Sequence, residues 1–137
     1  MKVIVDTCVW SQALRRDETG SNGLAEELAE LITEGRAQLI GPIRQELLSG
    51  IKTKSQFNKL KKHLAAFSDL PLLPADFELA AEFFNLARSK GIQGSNTDFL
   101  ICALAHRHNL PIFTCDQDFD HYATVLPIRL YKPGLAA

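Results

Sequence analysis

Short apolar runs alternate with longer amphipathic stretches along the chain, and that alternation admits few folds. Lys2–Asp6 (KVIVD) is a β-branched run closed by an acid, which reads as a strand buried on both faces. Gln38–Ile40, Leu70–Leu73, Ile112–Cys115 and Ile128–Leu130 are further short strands, the second of these broken by Pro71 and Pro74. Between them the apolar spacing becomes helical. Val9–Arg15 starts a short helix. Asn22 suits the N-cap of a helix over Gly23–Glu34, with Leu24, Leu28, Leu31 and Ile32 on one face and Gly35 as its stop. Pro42 fits the first turn of the next helix, whose stripe is Ile43, Leu47 and Leu48. Ser55–Phe67 is amphipathic and rich in lysine. Ala75–Lys90 is a long helix, and Gly91–Ser95 (GIQGS) a loop. Thr97–His108, capped by Ser95 or Asn96, is nearly all apolar and therefore central. The pattern predicts an α/β sandwich, a parallel sheet with helices on both faces.

The 137 residues fit one domain spanning 1–137, and a hydrophobic content of 46% is enough for a core without staples, which argues against disorder. No apolar run approaches the ~20 residues needed to cross a bilayer. Met1–Asp6 lacks the long apolar stretch of a signal peptide, so the expected location is cytoplasmic, with no membrane partner. Cys8, Cys102 and Cys115 have no CxxC spacing and read as small buried hydrophobes. The net charge of -1 gives no overall pull toward nucleic acid. Its distribution is uneven, however. Lys52, Lys54, Lys59, Lys61 and Lys62 crowd one stretch and Asp116, Asp118 and Asp120 another, so a basic rim can surround an acidic pocket.

The acids that stand out lie where strands end or helices begin. Asp6 closes the first strand and Asp116 follows Ile112–Cys115. Open α/β sheets bind ligands at the carboxyl ends of strands, near the point where strand order reverses. Asp98 falls in the first turn of its helix, where the dipole tolerates a carboxylate. Glu46 lies at the edge of the stripe formed by Ile43 and Leu47. Singly, each has an ordinary explanation as a cap, an Asx-turn or a solvated residue. Together, carboxylates in one crevice repel each other unless a cation joins them. Oxygen-only ligands suit Mg²⁺ or Mn²⁺, and such a pocket suits phosphodiester hydrolysis.

The stretches VDTCVW (Val5–Trp10), IRQELLSG (Ile43–Gly50), NTDFLICALA (Asn96–Ala105) and TCDQDF (Thr114–Phe119), in that order, resemble a PIN domain of the VapC-type toxins found in toxin–antitoxin pairs. The resemblance implies a central parallel sheet of about five strands, a homodimer, an Mg²⁺ site that accepts Mn²⁺, and endoribonuclease activity on RNA. It implies a cognate antitoxin that wraps the toxin and blocks its pocket. It assigns Asp6, Glu46, Asp98 and Asp116 as metal carboxylates, Asp118 as a fifth candidate, and Thr7 and Thr114 as polar neighbours. Within Thr114–Phe119, strand alternation continued through Cys115 ranks Asp116 first, Asp118 second and Asp120 third. Phe119 is expected in the core and Asp120 at the surface.

Competing chemistries find less support. His106 and His108 are two apart on one helix and do not share a face, so the histidines read as helix-end residues. There is no GxSxG elbow, P-loop or GxGxxG fingerprint. The lysine stretch reads either as a solvated face or as a rail for an RNA backbone. Trp10 and Tyr122 are candidates for stacking on bases, with core packing favoured for Trp10. Two alternatives to the toxin stay open: an RNA-processing PIN nuclease without an antitoxin, and a catalytically idle PIN-like module that binds RNA or protein.

Overall fold

The computed structural model describes residues 1–14 and 23–133. The expected Asn22 cap and the end of the first helix at Arg15 lie outside the described residues. The chain runs β1 (Val3–Val5), α1 (Thr7–Leu14), α2 (Leu24–Thr33), β2 (Ala37–Ile40), α3 (Gly41–Leu48), α4 (Lys54–Leu64), β3 (Asp69–Leu70), α5 (Pro74–Ser89), α6 (Asn96–His108), β4 (Ile112–Phe113) and α7 (Asp118–Ala123).

The strands form one parallel sheet in the order β3-β2-β1-β4. Ile4 pairs with Gln38 on one side and with Ile112 on the other, so β1 is interior. Val3, Ile4 and Val5 are wholly buried, each contributing about 1.5–3 kcal/mol by leaving water. The sheet has four strands where about five were expected. The run Ile128–Leu130 makes only one parallel bridge, Leu130 to Ile112, at the open edge of β4. Pro127 precedes it, and its neighbour β4 has just two residues to pair with.

Parallel crossovers are right-handed. Passing from β1 to β2 to β3 puts α1–α4 on one face. The return from β3 to β4, on the far side of β1, puts α5 and α6 on the other. The order in which strands are added thus reverses between β1 and β4, which stay parallel. Helix α6 is buried continuously from Phe99 to Ala105, as its apolar sequence predicts. At the opposite edge, the Arg44 guanidinium binds Asp69 at 2.8 Å and the carbonyls of Leu64 and Phe67 at 2.9 and 2.7 Å, fixing α3 to the connection that leads into β3. No helix among the described residues is long and apolar enough to cross a membrane.

Candidate active site

The reversal between β1 and β4 opens a crevice at their carboxyl ends, and Asp6 sits at its floor. The Asp6 N–H continues the ladder to the Phe113 carbonyl at 2.9 Å. Its carboxylate is 6% exposed. One oxygen accepts the Thr7 N–H at 2.8 Å and the other the Thr114 hydroxyl at 2.8 Å, with the Cys8 thiol 3.6 Å away. Burial raises the Asp6 pKa above the ordinary carboxylate value, and repulsion from Asp116 adds to it, while those donors pull the other way.

Asp98 enters from the first turn of α6. Ser95 is the cap, its hydroxyl accepting the Asp98 N–H at 3.1 Å. The Asp98 carboxylate accepts the Tyr122 hydroxyl at 2.7 Å. Its pKa is also raised, chiefly by burial and further by Asp6 and Asp116, against the hydrogen bonds of Tyr122 and Ser95.

The chain bends earlier than strand alternation through Cys115 predicts. Pairing stops at Phe113 because the Thr114 hydroxyl accepts the Asp116 N–H at 3.0 Å and folds the backbone back. Asp116 in turn accepts the Asp118 N–H at 2.9 Å and leads into α7, a helix the sequence reading did not predict. Two bends bring Asp116 and Asp118 to the same place. One carboxylate oxygen from each of Asp98, Asp116 and Asp118 lies within 4.8 Å of the others. Asp120 is exposed and Phe119 buried.

This donor set fits a hard divalent cation. It offers oxygen only, from half-buried or exposed carboxylates. Among the described residues, the ion pairs are Arg36–Glu34, Arg44–Asp69 and Arg107–Asp76, and none neutralises the pocket.

Glu46 lies outside the three-acid group. It is exposed on α3, and its carboxylate accepts the Thr7 hydroxyl at 2.6 Å, which ties it to the turn after Asp6. Tyr122 cannot stack on a base, because it is wholly buried between Phe99 and Phe119, with ring centroids 5.0 Å away in each case. Trp10 packs in the core against Phe67 and donates its indole N–H to the Val5 carbonyl at 3.1 Å. Cys102 is a buried hydrophobe, but Cys8 and Cys115 are only half-buried and take part in the polar frame. Cys8 sulfur accepts the Cys115 N–H at 3.1 Å, and burial with the Cys8 thiol pushes Cys115 up to about 12. Lys52, Lys54, Lys59, Lys61 and Lys62 are all exposed, on α4 or just before it. The sequence reading missed the role of Tyr122; an aromatic residue four after Asp118 carries no spacing signal toward Asp98.

Residues 3–125 match the family model of the PIN domain, and the chain belongs to that family. It is 34% identical over 131 residues to Ribonuclease VapC11 of Mycobacterium tuberculosis and to VapC ribonuclease Mb1587 of Mycobacterium bovis, over 93% of this chain and 96% of each relative. FitAcB from Neisseria gonorrhoeae shares the fold with a TM-score of 0.75 at 22% identity, covering 96% of this chain and 97% of that one. VapBC2 from Rickettsia felis, solved bound to a DNA fragment from their promoter, has a TM-score of 0.74 at 18% identity, covering 96% of this chain and 98% of that one.

Proposed function

We propose that the protein is a divalent-metal-dependent endoribonuclease and the toxin of a toxin–antitoxin pair. The observation that carries the chemistry is the convergence of Asp98, Asp116 and Asp118 within 4.8 Å beside buried Asp6, with no paired cation among the described residues. The resemblance to VapC ribonucleases over 93% of the chain supports RNA as the substrate.

Asp98, Asp116 and Asp118 would hold Mg²⁺, with Mn²⁺ able to replace it, and Asp6 and Glu46 complete the acidic set. When bound, the ion supplies positive charge to the phosphate oxygens and acidifies water for attack. Asp6 contributes fixed negative charge at the floor, oriented by Thr114 and Thr7. Glu46, held by the Thr7 hydroxyl, stands at the exposed rim, where it can accept a proton. Lys52, Lys54, Lys59, Lys61 and Lys62 guide the RNA backbone. The partners are RNA, a cognate antitoxin that covers the pocket, and a second copy of the chain, all in the cytoplasm.

The test is cleavage of single-stranded RNA by the purified protein. Mg²⁺ or Mn²⁺ should support it, EDTA should abolish it, and the products should carry 5′-phosphate and 3′-hydroxyl ends. Cleavage that persists in EDTA with cyclic phosphate ends contradicts the mechanism. A folded protein that binds RNA and never cuts it is instead the idle module. A toxin should have a small antitoxin reading frame immediately upstream whose co-expression rescues growth; its absence favours an RNA-processing nuclease.

A further inference from the structure

Asp98 differs from Asp6 in how it is held. Asp6 is gripped by donors from its own turn and from the residues just after β4. Asp98 reaches across the crevice to a side chain 24 residues away, the phenol of Tyr122. That phenol has little freedom. The ring is wholly buried, tilted 46° against Phe99 and 71° against Phe119. On its remaining side lies Gly94, and a Cβ built there would overlap the Tyr122 hydroxyl and come within 2.7 Å of the ring carbon Cζ and 3.0 Å of Phe99. Gly94 is therefore required for its missing side chain, which leaves the space the hydroxyl occupies.

We propose that Tyr122, seated against Gly94, is the positioning residue that fixes the Asp98 carboxylate for a divalent cation; the inference rests on the metal-dependent reading above. A hydroxyl is suited to this. It orients a carboxylate through one strong hydrogen bond, and it is neutral, so it leaves the full negative charge for an arriving ion. A lysine or arginine at the same point would orient Asp98 and also compete with the metal. The aromatic seat makes the arrangement mutual. A buried phenol without an acceptor is costly, so Tyr122 holds Asp98 and Asp98 holds Tyr122. The carboxylate is thereby set before an ion arrives.

The experiment is Mn²⁺ titration by calorimetry of wild type, Tyr122→Phe, Gly94→Ala and Tyr131→Phe, without RNA. Tyr131 supplies a matched control, because its hydroxyl also donates to a carboxylate, Glu27 at 2.8 Å, outside the acidic group. Tyr122→Phe keeps the ring and should weaken Mn²⁺ binding about 10- to 100-fold, with Tyr131→Phe at the wild-type value. Gly94→Ala should weaken it in the same direction by displacing the phenol. The double variant should lose less than the product of the two separate losses, since both act through one hydrogen bond. In cleavage assays, half-saturating Mn²⁺ should rise for Tyr122→Phe while KM for RNA stays constant. Equal affinity in wild type and Tyr122→Phe overturns the proposal. So does equal weakening in Tyr131→Phe, which would make the effect one of general stability. If Tyr122→Phe does not fold, wild-type affinity in folded Gly94→Ala overturns it. Absence of Mn²⁺ binding in the wild type removes the metal-dependent reading and this inference together.

Discussion

Two regions of the molecule bury carboxylates, and they treat the charge in opposite ways. In the seam between α5 and α6, Asp76 is fully buried and meets the Arg107 guanidinium through two hydrogen bonds, one of them 2.9 Å, while it also accepts the Leu73 N–H at 2.8 Å. Arg107, ahead of the opposing cost of burial, holds the Asp76 carboxyl below its ordinary pKa. At the carboxyl ends of β1 and β4, Asp6 and Asp98 are held by hydroxyl and amide donors, and burial drives their pKa values up. The first region closes its own charge balance, which is how a fold uses a buried acid. The second leaves the balance open beside two more acids. An unneutralised group of carboxylates costs the fold stability, and a cation that binds the native state regains it.

The strongest way to break this contrast is to remove charge from each side. Asp98→Asn should cut RNA cleavage on the order of 10²-fold or more, while its unfolding free energy in EDTA at neutral pH stays within about 1 kcal/mol of wild type. Quantitative cleavage assays and urea titrations measure both. A large loss of stability with activity retained would make Asp98 a structural acid. Asp76→Asn should do the reverse. It leaves Arg107 and the Leu73 N–H poorly matched and should cost about 1–3 kcal/mol, with metal-supported cleavage unchanged at a temperature where the variant is folded.

A pH series sharpens the comparison. Asp76 lies below its ordinary value of 3.8, so its contribution is complete above that value and is lost as pH falls through the lower folded one. Asp6 and Asp98 lie above 3.8, so the metal-free fold binds their protons more tightly than the unfolded chain does, and stability declines as pH rises through their raised values. In EDTA, the stability gap between wild type and Asp76→Asn should therefore narrow below pH 3.8. Wild type should fall relative to Asp98→Asn as pH rises above 3.8. Urea midpoints across that range give both slopes, and slopes of the same sign would remove the distinction. The smallest effect belongs to the exposed charges. Replacing Lys59, Lys61 and Lys62 with Gln should lower the log–log salt slope of RNA binding by up to about 0.7 per lost contact and leave turnover at saturating RNA intact.

Much of this was legible in the sequence where local rules decide the outcome. The run Lys2–Asp6 reads as a buried strand and contains β1, Ser95 is one of the two caps expected for α6 beside Asn96, and Asp6 and Asp98 stand at the ends of those elements. What escaped depends on side chains meeting across long separations. Thr114 stops β4 after Phe113, where apolar patterning carried the strand to Cys115, because its hydroxyl captures the Asp116 N–H. Helix α7 has only six residues, too few for an apolar period to show in the sequence; the packing of Phe119 and Tyr122 sustains it, with Asp118 and Asp120 suited to its first turn. Tyr122 reads in the sequence as a candidate for stacking on bases because nothing near it in the chain reveals Asp98 or the gap at Gly94.

The pairing of β1 with β4 also sets when the pocket can exist. The Thr114 hydroxyl that orients Asp6 leaves the ribosome 108 residues after it. At typical rates of synthesis that interval is on the order of 5–20 s. Before Ile112 and Phe113 add to the edge of β1, the nascent chain has three sheet strands, no crevice and no way to bring Asp116 or Asp118 to Asp98. The acidic centre thus forms only once β4 docks, and a chain that stalls before Ile112 holds Asp6 by its own turn alone, without Thr114, Asp116 or Asp118.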